Sequence, residues 1–268
     1  MYREFLDFIF PLAEGAGKIQ LAYFRGDDLA IRTKSNVYDV VTRADKESEA
    51  YIAAAILERW PDHEILGEEG GSMGRAGSDY RWVVDPLDGT TNFIHGFPQY
   101  SVSIALAYKG QINQALVYDV IRNEMFTASK GGGAFLNERR IRVTKCLKLD
   151  DALIGTGFPF RVFDHANAYM GIFKDFTERT AGIRRTGSAA LDLAYVACGR
   201  LDGFWEFGLM PWDMAAGSLL ISEAGGLISD LSGGEDYLKT GNVVCGSPKV
   251  FAQMLQVVDS FRTPTLQS

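Results

Sequence analysis

A layered α/β fold is what this chain predicts, on three observations. Apolar residues recur at helical spacing near the start, at Phe5, Phe8, Ile9, Leu12, Ala16, Ile19 and Tyr23. From residue 100 to 145 the pattern changes to short alternating runs broken by Gly or Asn, which read as antiparallel strands. Beyond residue 151, strand and helix patterns alternate, the rhythm of α/β layering. The 268 residues, 47% of them hydrophobic, are enough for one large domain or two tightly joined halves, here 1–150 and 151–268.

Taken in order, residues 1–25 form a helix that Pro11 must either kink or start. Residues 29–41 read as extended. TRADKESEAYIAAAILERWP is a helix with Thr42 as N-cap and Asp45 in the capping-box position, stopped by Pro61. HEILGEEGG is a short strand opening into an acidic loop. A strand over 81–84 ends at Asp85. YSVSIALAYKG, QALVYDVIRNEMFTASKGG, AFLN and IRVTK supply the antiparallel run. DALIGTGF is a strand, and a helix follows near 164–180. GIRRTG and LDGFWEF then alternate with the helical SAALDLAYVACG and WDMAAGSLLISEAGG.

The formal net charge of -7 and pI near 5.1 disfavour binding nucleic acid by bulk charge. An acidic chain that acts on phosphates needs local help, from cations or helix N-termini. Cys146, Cys198 and Cys245 are odd in number, far apart and without a CxxC pair, so free thiols in a reducing compartment are expected. MYREFLDFIF lacks the features of a secretory signal, and no run reaches the roughly 18 apolar residues of a membrane span. A soluble cytoplasmic protein is the expectation.

The chemistry concentrates in WVVDPLDGTTNF, residues 82–93. Pro86 holds Asp85 extended, and a tight turn lets Asp85 and Asp88 converge with the Leu87 carbonyl between them. That is a hard oxygen site of the kind Mg²⁺ takes. Gly89 permits close backbone approach, and amides from Gly89 onward could open a helix and meet a phosphate. A Pro-Asp-Gly turn with Asp88 as helix cap explains the same string in isolation. Glu68 and Glu69 in GEE, taken alone, are solvated loop charge. Asp213 in PWDMAAG, taken alone, is an N-cap. Carboxylates at several strand-to-helix junctions, however, are how an α/β protein assembles a metal site. His63, His95 and His165 show no ligand spacing, although His95 lies just past the phosphate loop.

GEE, WVVDPLDGTTNF and PWDMAAGSLLISEAGG, in this order and spacing, resemble the inositol monophosphatase family of the Mg²⁺-dependent, lithium-sensitive phosphatase superfamily. KSNVYDVVTRAD at 34–45 and GSAALDLAYVACG at 187–199 extend the likeness over nearly the whole chain. It is strongest toward bacterial members of the extragenic-suppressor type. The resemblance implies an α-β-α-β-α five-layer sandwich that hydrolyses myo-inositol monophosphate with two or three Mg²⁺ ions, usually as a homodimer inhibited by lithium.

The same resemblance implies residue roles. Glu68 would bind the first Mg²⁺ and orient the attacking water, Asp85 would bridge metals, and the Leu87 carbonyl would join the first. Asp88 and Asp213 would hold the second metal and border the substrate. Thr90 would hold the water with Glu68, while the Gly89 and Thr90 amides take the phosphate. Asp45 would pair with Thr90 or lie near a third, weak metal, and Lys34 would lie near the site. Glu206 would bond an inositol hydroxyl, and the backbone of Gly187, Ser188 and Ala189 would face the ring. Standing alone, Glu206 reads as an exposed strand residue and Ser188 as a helix N-cap. The loop GTGFPFRVFD at 155–164 departs from the animal enzymes, which leaves histidinol phosphate, fructose 1,6-bisphosphate and 3′-phosphoadenosine 5′-phosphate open as substrates. Bacterial relatives are also linked to ribosomal RNA transcription antitermination. That implies a protein-binding role, to which Arg184 and Arg185 could contribute.

Overall fold

The structure is a computed structural model that describes residues 2–26, 29–33, 40–158, 165–261 and 263. Lys34 and residues 159–164 of the departing loop lie outside the described residues. Helix α1 (Tyr2–Tyr23) runs on through Pro11. The short antiparallel pair β1 (Arg32–Thr33) and β2 (Val40–Val41) leads to α2 (Arg43–Arg59). The Thr42 hydroxyl accepts the Ala44 amide, and Asp45 answers by accepting the Thr42 amide at 2.9 Å. These are the reciprocal bonds of a capping box.

Then come β3 (Glu64–Gly67), β4 (Gly71–Gly74), β5 (Tyr80–Asp88) and the short helix α3 (Thr90–Ile94). A meander follows: β6 (Ser101–Tyr108), β7 (Gln111–Asp119), β8 (Glu124–Ser129), β9 (Gly133–Leu136) and β10 (Arg139–Arg140). These strands form an eight-stranded sheet in the order β10-β9-β8-β7-β6-β5-β3-β4. β3 and β5 pair in parallel, and the other pairs are antiparallel. IRVTK does not form the expected strand. Ile141 still bonds back to Ala134, but the Val143 amide turns away to the Ala224 carbonyl, and the sheet edge ends at β10.

A 3₁₀ turn (Leu149–Asp151) opens the remainder. β11 (Leu153–Thr156), α4 (Ala166–Arg179), β12 (Gly182–Arg184), α5 (Ala189–Ala197), β13 (Gly203–Glu206), α6 (Pro211–Glu223), β14 (Leu227–Ser229), α7 (Tyr237–Thr240), β15 (Val243–Gly246) and α8 (Pro248–Ser260) follow. The second sheet has five strands in the order β12-β11-β13-β15-β14. β11 is parallel to both its neighbours, and β15 is antiparallel to both of its own.

Three cores separate five layers. Ile9 of α1 and Ile52 of α2 pack with Trp82, Val84 and Ile104 on one face of the large sheet. Val83, Ala105 and Phe126 on its other face meet Leu193 of α5 and Leu220 of α6, which also meet Phe204 and Cys245 of the small sheet. Ile154 and Trp205 on the outer face of that sheet pack with Phe176 of α4 and Val258 of α8. Neighbouring strand residues therefore feed different cores, Trp82 against Val83 and Phe204 against Trp205, as a period of two requires. Each fully buried side chain of this size contributes about 1.5–3 kcal/mol. Every residue of α5 is buried, because a helix between two sheets has no solvent face. The order is α-β-α-β-α. Among the described residues no helix is long and apolar enough to cross a membrane.

Candidate active site

β5 does not stop at Asp85, as its pattern predicts, but continues to Asp88 across a bulge. Asp85 pairs with Ser103 and Asp88 with Ser101, so Pro86 and Leu87 stand opposite Val102 alone. Proline has no N–H for the ladder, which makes the extra residue cheap here. The Leu87 amide bonds instead to Asp85 Oδ1 at 2.9 Å, and the Pro86 carbonyl accepts from the buried Gln20 side chain of α1 at 2.5 Å. The chain then turns at Gly89, whose φ of 98° is left-handed and suits a glycine. Gly89, rather than Asp88, is the N-cap of α3.

Four other segments close on this loop. The Asp88 carboxylate caps α5: its Oδ2 accepts the Ser188 hydroxyl at 2.5 Å and the Ala190 amide at 2.8 Å. Ser188 is itself the N-cap of α5. Asp213 is not an N-cap. Pro211 starts α6 two residues earlier, and Asp213 accepts the amide of the true cap, Met210, at 2.7 Å. From α2, Asp45 Oδ1 accepts the Thr90 hydroxyl at 2.9 Å, with the Leu87 carbonyl also 3.1 Å from that hydroxyl. Glu68 stands in the turn after β3.

Asp85, Asp88 and Asp213 are all buried and offer carboxylate oxygens within 4.8 Å of one another. Burial first, then the charges of Glu68, Asp88 and Asp213, push the Asp85 carboxyl well above the ordinary range. Burial likewise pushes Asp88 up to about 6, against the lowering bonds from Ser188 and Ala190. Asp45 is also pushed up to about 6 by burial, although its bonds from Thr42 and Thr90 oppose the rise. Carboxylates gathered out of water in this way repel unless a cation joins them. An all-oxygen donor set suits Mg²⁺, Ca²⁺ or Mn²⁺ better than zinc.

Glu68, Asp85, Asp88, Thr90 and Asp213 line one cavity of about 440 Å³, together with Gly89, Gly187, Ala189, Glu206, Asp192 and Arg185. Glu206 is buried at the end of β13, between β11 and β15, and not exposed as its isolated pattern suggests. A Cβ on Gly157 would lie 2.1 Å from its carboxyl carbon, so a larger residue there would displace the Glu206 carboxylate. Burial raises Glu206 well above the usual range, Asp192 and Asp213 add to the rise, and Arg185 opposes it.

A sequence model of the inositol monophosphatase family matches residues 1–260. This chain belongs to the inositol monophosphatase family. The Nus factor SuhB of Pseudomonas aeruginosa is 48% identical over 259 residues, which cover 95% of this chain and 96% of that one. The extragenic suppressor protein SuhB of Bartonella henselae superposes with a TM-score of 0.92 at 38% identity, over 95% of this chain and 98% of that one. The inositol monophosphatase of Anabaena gives a TM-score of 0.85 at 35% identity, over 98% of both chains. The fold is that of these family members, and the chain is a phosphatase by family.

Every expected site residue among the described ones lines the cavity except Asp45, which reaches it through Thr90. Asp85, Asp88 and Asp213 form the tight cluster; Glu68 stands outside that 4.8 Å set, although its charge follows burial as a cause of the Asp85 shift. Ser188 directs its hydroxyl to Asp88. Sequence reasoning missed Gln20, Glu49, Gly157 and Asp192. Glu49 carried a signal: it follows Asp45 by four residues, on the same helix face.

Proposed function

We propose that this protein hydrolyses myo-inositol monophosphate to myo-inositol and phosphate, with Mg²⁺ as cofactor. The observation that carries it is the convergence of Asp85, Asp88 and Asp213 in the cavity that also holds Thr90 and Glu206. Glu68, Asp85, the Leu87 carbonyl, Asp88 and Asp213 would hold two or three ions. Bound Mg²⁺ would supply the positive charge that hydrolysis of a phosphate monoester needs at the phosphoryl group, the attacking water and the leaving oxygen. Thr90 donates to Asp45, so its lone pairs are left to receive a water, with Glu68 as the second acceptor. The amides of Gly89 and Thr90 would face the phosphate. Glu206 would accept a ring hydroxyl and so reject esters that lack one, with Gly187, Ser188 and Ala189 alongside. Lithium inhibition, a homodimer and a cytoplasmic location belong to the same reading.

Phosphate release from inositol 1-phosphate, with and without Mg²⁺, tests it. Wild type and Asp88→Asn should be compared, with histidinol phosphate, fructose 1,6-bisphosphate and 3′-phosphoadenosine 5′-phosphate alongside. Fast Mg²⁺-dependent release from the inositol ester, lost in the variant, is expected. Release from another ester alone overturns the substrate and keeps the site. A second reading, protein binding in transcription antitermination, is favoured by the Nus factor name of a relative 48% identical to this chain. Capture of transcription proteins by an Asp88→Asn variant without activity would separate it from the enzyme.

A further inference from the structure

α2 carries a second buried carboxylate one turn beyond Asp45. Glu49 is 4% exposed. Its Oε2 accepts the Glu69 amide at 2.8 Å and its Oε1 the Gly70 amide at 2.5 Å. The glycines that bracket Glu68 and Glu69 fit around this carboxylate. A Cβ on Gly67 would lie 2.4 Å from Glu49 Oε2, and one on Gly70 would lie 2.8 Å from Oε1. The string GEEG is therefore a cradle around the Glu49 carboxylate, with Glu68 on the cavity side. Residues four apart share a helix face. From one face of α2, Asp45 fixes the Thr90 hydroxyl and Glu49 fixes the turn that carries Glu68.

We propose that Glu49 is a positioning residue for Glu68: its two amide bonds hold the Gly67–Gly70 turn so that Glu68 presents its carboxylate to the cation beside Asp85. The proposal rests on the Mg²⁺-dependent phosphatase reading. Bonds from amides to a carboxylate are strong for their size. Outer partners of this kind typically change metal affinity or activity 10–100-fold. A tether that served stability alone would change the melting temperature and leave Mg²⁺ binding as it was.

The test uses the full chain and two variants, Glu49→Gln and Gly70→Ala. Glutamine sets an NH₂ group against one of the two amides. Alanine at the exposed Gly70 presses on the cradle while keeping the charge, and so serves if the buried variant fails to fold. Mg²⁺ binding is measured by calorimetry without substrate, kcat and KM with inositol 1-phosphate, and amide exchange at residues 68–70. Expected are faster exchange at Glu69 and Gly70, about tenfold or greater loss of Mg²⁺ affinity, and kcat lowered about 10–100-fold with KM within about twofold. Unchanged exchange in Glu49→Gln, or a folded variant with wild-type Mg²⁺ affinity and kcat, overturns the proposal. Wild type that binds no Mg²⁺ and releases no phosphate overturns the phosphatase reading, and this proposal with it.

Discussion

The Ser188 hydroxyl donates to Asp88 Oδ2 across 2.5 Å, joining residues 100 positions apart in the chain. The same oxygen takes the Ala190 amide. One carboxylate thus both caps α5 and belongs to the acidic cluster. The serine hydroxyl also accepts the Leu191 amide at 3.4 Å, so it serves the helix and the site together.

Ser188→Ala should therefore cost stability and cation affinity at once. Loss of an N-cap costs about 0.5–2 kcal/mol, or a melting temperature lower by several degrees at most for a chain of this size. Asp88 then keeps the backbone amides of Ala189 and Ala190 but loses its hydroxyl donor. Calorimetry with Mg²⁺ should show weaker binding than wild type; an unchanged affinity would mean that the backbone amides of α5 suffice to set the carboxylate.

How much of this was legible depended on range. The Thr42–Asp45 capping box is local, and the sequence states it fully. WVVDPLDGTTNF located the cluster because its turn chemistry sits in one string. Asp213 was found but given the wrong helix position, since Pro211 and not the acid marks where α6 starts. The bulge in β5 was hidden because it depends on what faces Pro86 across the sheet. Glu206 read as exposed because only the sheet order buries it between β11 and β15. Ser188 read as a cap, which it is, yet its second bond needed the two halves brought together. IRVTK alternates well enough for a strand, but alternation alone gives it no partner.

Thr90 and Asp45 form the second long-range pair, and Thr90→Val keeps the side chain's shape while removing the hydroxyl. In the proposed reaction the water then loses one of its two acceptors and keeps only Glu68. The expected fall in kcat is about 10²–10⁴-fold, the range for a lost group that handles a proton in the reaction. Thr90→Ser restores the hydroxyl and should recover most of the rate. Steady-state kinetics on both variants decides; equal rates in Val and Ser variants would remove Thr90 from the reaction.

His63 gives a pH dependence away from the site. Its ring lies between Trp60, stacked at 5.4 Å, and Tyr80, stacked at 4.6 Å. Trp82 Nε1 donates to His63 Nδ1 at 3.0 Å, so the ring accepts there and is held neutral. Burial lowers its pKa below the ordinary value near 6.5, with Asp62 opposing. A lowered imidazole pKa means that the unfolded chain takes the proton first as pH falls. The His63 contribution is therefore full above about pH 6.5, shrinks as pH drops below that value and levels off below the folded pKa. The buried carboxylates titrate in the opposite sense, so the signal is the difference between wild type and His63→Gln. Urea unfolding from pH 8 to 5 should show that difference narrowing; a constant gap would refute the assignment.

Gly157 and Glu206 make the selectivity prediction. A Cβ at residue 157 would lie 2.1 Å from Glu206 Oε1 and 2.2 Å from Oε2. The atoms met are the end of a flexible side chain and not backbone, so the buried carboxylate gives way by swinging aside. Gly157→Ala leaves Asp85, Asp88, Asp213 and Thr90 untouched, so the phosphoryl end should still work. If Glu206 accepts a ring hydroxyl, kcat/KM for inositol 1-phosphate should fall about 10-fold or more, on the scale of one lost hydrogen bond to a charged group. Turnover of p-nitrophenyl phosphate, which has no such hydroxyl, should change far less. Equal losses on both esters would mean that alanine disturbs the whole cavity, and equal retention would mean that Glu206 does not read the leaving group.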